Sequence, residues 1–194
     1  MQARRSLMKR HEPTEHLVHW LIIDTTRAPE AKAWAARSEA FDGMVNLYLH
    51  SPLEHRLAVS PVVLKLKRTA ENEHEKTLAS FTQDYALRSS GVLVSFSDAH
   101  TDEAVLTHLR NLLIVQIQRH LSLFRFYSSA FWKKHHAMMN VADVGVVLGP
   151  MTRLSWCDGQ QWHHIERDAH RSEHTPRPTL TVPYHLTSDF SQGA

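Results

Sequence analysis

HLVHWLIIDTTRAPEAKAWAARSEAFDGMVNLYLH, residues 16–50, carries the pattern on which the fold turns. It opens with a short apolar run that ends in an acid, Asp24, and a run of that length reads as a buried strand. TTRAPEAKAW then changes character. Pro29 suits the first turn of a helix, where its missing N–H breaks no bond, and the alanines that follow favour helix. Phe41-Asp42-Gly43 reads as a turn and MVNLYLH (44–50) as a second strand. Strand, helix and strand in one stretch argue for layered α/β architecture.

The alternation continues outward. SPLEHRLA (51–58) is a short helix candidate with Ser51 as cap, and PVVLKLK (61–67) reads as a strand. After a charged stretch at 71–76, TLASFTQDYALRSS places Leu78, Phe81, Tyr85 and Ala86 on one helical face. GVLVSFS (91–97) is a strand. SDAHTDEAVLTHLRNLL then opens with cap residues and sets Val105, Leu106, Leu109, Leu112 and Leu113 at helical spacing. IVQIQ (114–118) loses that period and turns at Arg119-His120 into LSLFRFY (121–127), which predicts an antiparallel hairpin. SSAFWKKHHAMM (128–139) is the next helix candidate, and Gly149-Pro150 stops the segment after it. RLSWCD and QQWHHIE read as a terminal hairpin. The expected fold is therefore α/β, with a mixed β-sheet flanked by helices. It forms a single compact domain over 16–167, with a C-terminal hairpin, a flexible basic arm at 1–15 and a polar, proline-containing tail at 168–194. TLTVPYHL (179–186), the apolar part of that tail, is a candidate to dock as an extended segment.

Composition excludes several classes. The chain has 194 residues and 42% apolar residues, enough for one domain with a real core. Its net charge of +2 does not call for a nucleic-acid partner. A single cysteine, Cys157, excludes an internal disulfide framework and suits a reducing, cytoplasmic setting. No apolar run approaches the roughly 20 residues of a membrane span, so no membrane partner is expected. Phosphate-cradling glycine loops and a GxSxG elbow are missing from the sequence, and no cofactor is expected.

Several residues nonetheless bear weighing. Cys157 with His163 and His164 is the best metal candidate. Zinc needs three or four convergent ligands, however, and adjacent histidines on a strand point to opposite faces, so no metal is expected there. Lys133, Lys134, His135 and His136 on a helix, and Arg4, Arg5, Lys9 and Arg10 in the arm, read as solvated charge. Asp24 stands at the carboxyl end of the first strand, where α/β proteins often place functional groups. It has three readings: a catalytic acid, a helix cap, or the partner of a buried arginine. Arg125 supplies that arginine. On a strand it would share a face with Leu121, Leu123 and Tyr127, a row that looks buried, and a buried guanidinium needs a carboxylate. The expectation is a structural ion pair, Asp24 with Arg125, with Phe124 and Phe126 packing on the other side. The chain is also rich in large aromatics. Trp20 and Trp34 read as core. Phe131, Trp132, Trp156 and Trp162 read as a partner-binding surface, with at least one of the three tryptophans partly exposed.

Taken in order, these pieces resemble one bacterial family. HWLIIDTTRAPE, VNLYLH and PVVLKL, then GVLVSFSDAHTDEAVLTHLRNLLIV, LFRFYSSAFW and VVLGPMTRLSW are similar to the type VI secretion effector adaptors, or effector-associated chaperones. That domain is of unknown function and is commonly encoded between a VgrG spike gene and a toxin gene. The matching positions are Asp24, Leu47-Tyr48, Pro61 to Leu66, His108 to Leu113, Phe124 to Tyr127 and Gly149-Pro150, over about residues 19 to 166. The chain departs from the pattern at Ser128-Ser129, where the family has Asp-Pro, and at Arg119-His120, where it has Asp-Gly. The resemblance implies a non-catalytic cytoplasmic protein that holds a toxin effector and delivers it to the VgrG spike. A second class stays open: a small hydrolase or metal-dependent enzyme using Asp24 and Arg125, or the Cys157–His163 region.

Overall fold

A computed structural model of the chain describes residues 16–68, 71–117, 119–167 and 178–183. The expected basic arm at 1–15 and the tail apart from 178–183 lie outside the described residues. The chain begins β1 (Leu17–Ile23), α1 (Ala31–Ala36), β2 (Phe41–Asn46) and β3 (Val62–Leu66). It continues through α2 (Glu71–Gln83), α3 (Tyr85–Ser89), β4 (Gly91–Ser97) and α4 (Asp102–Asn111). The hairpin β5 (Ile114–Ile117) and β6 (His120–Leu123) follows, then α5 (Ser129–His135) and α6 (Val141–Leu148). The terminal hairpin is β7 (Met151–Cys157) and β8 (Trp162–Glu166), and β9 (Leu180–Thr181) comes from the tail.

Six strands form the main sheet in the order β2-β3-β1-β4-β7-β8, and every neighbouring pair is antiparallel. The α/β layering is as expected, but the sheet is not mixed. Helical crossovers do connect strands that run the same way, β1 to β2 and β3 to β4. Each crossover leaves room for one opposed strand, β3 in the first case and β1 in the second, so no parallel pair touches. This is the interleaved split β-α-β arrangement, widened on the β4 side by the terminal hairpin.

Both faces of the sheet are covered, and so β1 and β3 are apolar almost without alternation. One face carries Leu21, Ile23, Val62 and Leu64 against Ala31, Ala35, Phe81 and Leu87 from α1 to α3. The other carries Trp20, Ile22, Val63, Val94, Phe96 and Trp156 against Leu109 of α4, Trp132 of α5 and Val147 of α6.

Local departures from the expected elements have local causes. Phe41 to Gly43 is not a turn; it starts β2 and contains a bulge. The segment after Ser51 is a 3-10 helix, Glu54–Val59, and the Ser51 hydroxyl accepts from the Leu53 amide. The single amphipathic helix expected over 77–90 breaks at Asp84, whose carboxylate caps α3 by accepting from the Leu87 amide at 3.0 Å. Tyr85 is thereby turned out to solvent.

β5 and β6 pair as predicted, and β9 adds to the free edge of β5, so the small sheet runs β6-β5-β9. Part of TLTVPYHL does dock as an extended segment; residues 184–186 lie outside the described residues.

Candidate partner-binding surfaces

The structure separates Asp24 from Arg125. Asp24 is 2% exposed at the end of β1, and its Oδ1 accepts from the Thr26 amide at 3.0 Å and the Thr26 hydroxyl at 2.6 Å. Its Oδ2 has no hydrogen-bond partner among the described residues. Arg125 is exposed. The expected buried ion pair is therefore corrected, and the reason is one of phase. β6 ends at Leu123, and a turn closed by the Ser128 amide on the Arg125 carbonyl follows. Phe124 and Phe126 point into the core, which puts Leu121, Leu123 and Arg125 on the outer side. Within the turn the alternation breaks and Tyr127 is buried as well, and its hydroxyl meets that of Tyr48 at 3.1 Å. Burial pushes the Tyr127 phenol far up, aided by that hydrogen bond and by the charge of Asp24, while Arg125 acts in the opposite direction. The two charges thus share a neighbour and do not bond each other. Arg125→Ala is expected to change stability by no more than about 0.5 kcal/mol, as for an ordinary surface substitution. Urea unfolding checks this; a loss near 3 kcal/mol would restore the buried pair.

Phe131, Trp132, Trp156 and Trp162 do not form one surface. Trp132 is fully buried, with its indole N–H donating to the Phe126 carbonyl. Trp156 is buried and stacks on Trp132 with ring centroids 5.8 Å apart. Phe131 is half-buried, edge-on to Phe124 and stacked on His135. Trp162 lies on the opposite face of the sheet from Trp156, because it pairs with Cys157 across the terminal hairpin while Trp156 pairs with His163. It is 36% exposed and stacks on Phe81 at 5.9 Å and 15°. One of the three tryptophans is thus partly exposed, as expected, but alone. Trp34, expected in the core, is half-buried and lies at the same aromatic row, edge-on to Phe41 and tilted on Phe81.

The terminal hairpin's other candidates are committed elsewhere. Cys157 is buried, and its Sγ accepts from the Gly159 amide. The His163 imidazole stacks on Trp156 and pairs with Asp158 at 2.7 Å. The Asp158 carboxylate is held well below its ordinary range by the Gln161 and Gln160 amides and by His163. Among the described residues no group of three or more His, Cys, Asp or Glu side chains gathers as a metal site.

A second apolar surface was not foreseen. Leu121 is 59% exposed and Leu123 40% on one face of the β5–β6 hairpin, and Ile117 is 41% exposed on the other, since Leu121 pairs with Gln116. The sequence does signal it, in the apolar residues on both faces of IVQI and LSLF, since a small sheet can bury only one face on the core.

The result is an α/β domain of split β-α-β topology, with a lone tryptophan on one edge strand and an apolar hairpin face elsewhere. The chain belongs to the family defined by the domain of unknown function DUF4123, whose model matches residues 19–144. That match ends inside α6, so Gly149-Pro150 and the terminal hairpin lie beyond it. No curated protein and no solved structure matches the chain. Among the described residues, no helix is long and apolar enough to cross a membrane.

Proposed function

We propose that the chain is a non-catalytic adaptor that binds a type VI secretion toxin effector in the cytoplasm and helps load it onto the VgrG spike. Membership of the DUF4123 family supports this reading. The observation that carries it is Trp162, a large rigid ring left partly exposed on the edge strand β8. Such rings are frequent anchors of protein interfaces, because they bury much area at little entropic cost. A small hydrolase or metal-dependent enzyme is the alternative, and the unpartnered Oδ2 of Asp24 is the feature that favours it. Against it, Asp24 is buried, Arg125 faces solvent, and Cys157 and His163 hold different partners.

Trp162→Ala is the test. It is expected to weaken binding of the toxin encoded beside this gene by at least 1 kcal/mol, about fivefold, while the protein stays folded. Titration of toxin with wild-type and variant chains reads the difference. Equal affinities would remove Trp162 from the interface.

A further inference from the structure

The tail strand β9 is held in an unusual way. Asp143 lies in the first turn of α6 and is 4% exposed. Its Oδ1 accepts from the Thr179 amide at 2.7 Å and the Leu180 amide at 2.9 Å, and its Oδ2 accepts from the Thr179 hydroxyl at 2.7 Å. A buried carboxylate without such donors is costly, so this position calls for an extended occupant that presents two amides and a hydroxyl. Leu180 then enters the main core, with Val182 packed against it.

The cis occupant is a short one. Among the described residues β9 pairs with Gln116 and Ile117 alone, although β5 pairs along all four of its residues, Ile114 to Ile117, on its other side. Continuing the antiparallel register would set Val182 opposite Val115 and Pro183 opposite Ile114. Proline has no N–H to give a ladder, so the chain's own segment is cut off by its sequence.

We infer that Asp143 and the β5 edge form a strand-acceptor site, filled in cis by residues 179–181 and open in trans to an extended cargo segment. The segment it fits carries Ser or Thr followed by an aliphatic residue, with no proline in the next three positions. The inference rests on the adaptor reading for the identity of the occupant. Strand addition supplies affinity through the main chain and specificity through alternate side chains. A linked cis strand competes through its high effective concentration, and a longer trans strand overcomes it by pairing with the whole edge.

The test uses the full chain and a labelled peptide of residues 176–186, with and without Pro183→Val. Leu180→Asp in the chain disables the cis strand, because an acid cannot replace the buried leucine beside Asp143. The Leu180→Asp chain is expected to bind the Pro183→Val peptide at least tenfold more tightly than the wild-type chain does. Asp143→Ala in the same background is expected to abolish that gain. In case Leu180→Asp compromises folding, hydrogen exchange on the wild-type chain provides a second readout: excess Pro183→Val peptide should slow exchange at the Ile114 amide, which faces the β9 side. No binding by the Leu180→Asp chain, equal binding by both chains, or indifference to Asp143→Ala would overturn the site, as would unchanged exchange.

The toxin encoded beside the gene identifies the occupant. It should bind the Leu180→Asp chain at least tenfold more tightly than wild type. Equal toxin affinity would overturn cargo as the occupant and leave the adaptor reading standing. A wild-type chain that binds no toxin at all would remove the adaptor reading, and cargo with it.

Discussion

Trp132→Ala is expected to lower stability by about 3–5 kcal/mol, in the range for large-to-small changes in a well-packed core. Trp132 has no exposed surface, and it joins α5 to the sheet. Its ring stacks on Trp156 and meets Phe124 and Phe131 edge-on, so truncation removes several aromatic contacts together. Its indole N–H satisfies the Phe126 carbonyl, which lies in the turn after β6 where no ladder is available. Losing the donor leaves a buried acceptor unpaired, at about 1–3 kcal/mol. Trp132→Phe is the milder change: it keeps one ring in the stack while removing the N–H and the rest of the indole. Urea unfolding of wild type and both variants should rank Trp132→Ala below Trp132→Phe. A loss under 1 kcal/mol for Trp132→Ala would mean that the ring is not a core group and would reopen it as a partner contact.

Gly149→Ala is expected to cost on the order of 3–5 kcal/mol, combining a strained backbone with a steric clash. Gly149 has φ +50° and ψ −116°, a conformation that side chains rarely adopt. A Cβ there would fall on the His108 ring. That ring is tethered. It is partly buried against the Gly149 turn, and its Nε2 bonds the Val147 carbonyl at 2.8 Å, so Nε2 carries the proton. Burial lowers the pKa of His108, in keeping with a neutral donor. Gly145, four residues earlier on α6, is the internal control. A Cβ at Gly145 meets nothing within 4 Å, and Gly145→Ala is expected to stabilise by about 0.5–1 kcal/mol through helix propensity. Opposite signs for the two substitutions, read by thermal or urea unfolding, are the expected result; equal effects would refute the turn geometry.

Local patterns made much of this fold legible. WLII, GVLVSFS and the loss of helical period at IVQIQ each report on residues close in sequence, and they mark β1, β4 and the β5–β6 hairpin. Strand order is not local. Nothing near β1 says that β3 will insert between it and β2, and alternating strands and helices by themselves predict a mixed sheet. Phase was the other obstacle. Residues 121–127 alternate cleanly, but both alternating sets are apolar apart from Arg125 and Ser122. The pattern therefore does not say which set faces the core. Packing by Phe124 and Phe126 decides it, and the same choice exposes Arg125 and dissolves its pair with Asp24. The tryptophans failed as a patch on similar grounds, since Trp156 and Trp162 sit on opposite faces of one hairpin. Asp143 stood in plain view as the one acid in VADVGVVL, yet its partner lies 36 residues on, beyond any sequence window.

Isothermal titration of the full chain with the toxin encoded beside its gene tests the central claim most directly. The adaptor account predicts saturable binding with a Kd of about 1 µM or tighter, roughly −8 kcal/mol. A folded chain that gives no binding heat with that toxin, and captures neither the toxin nor the VgrG spike protein by co-purification, would contradict it.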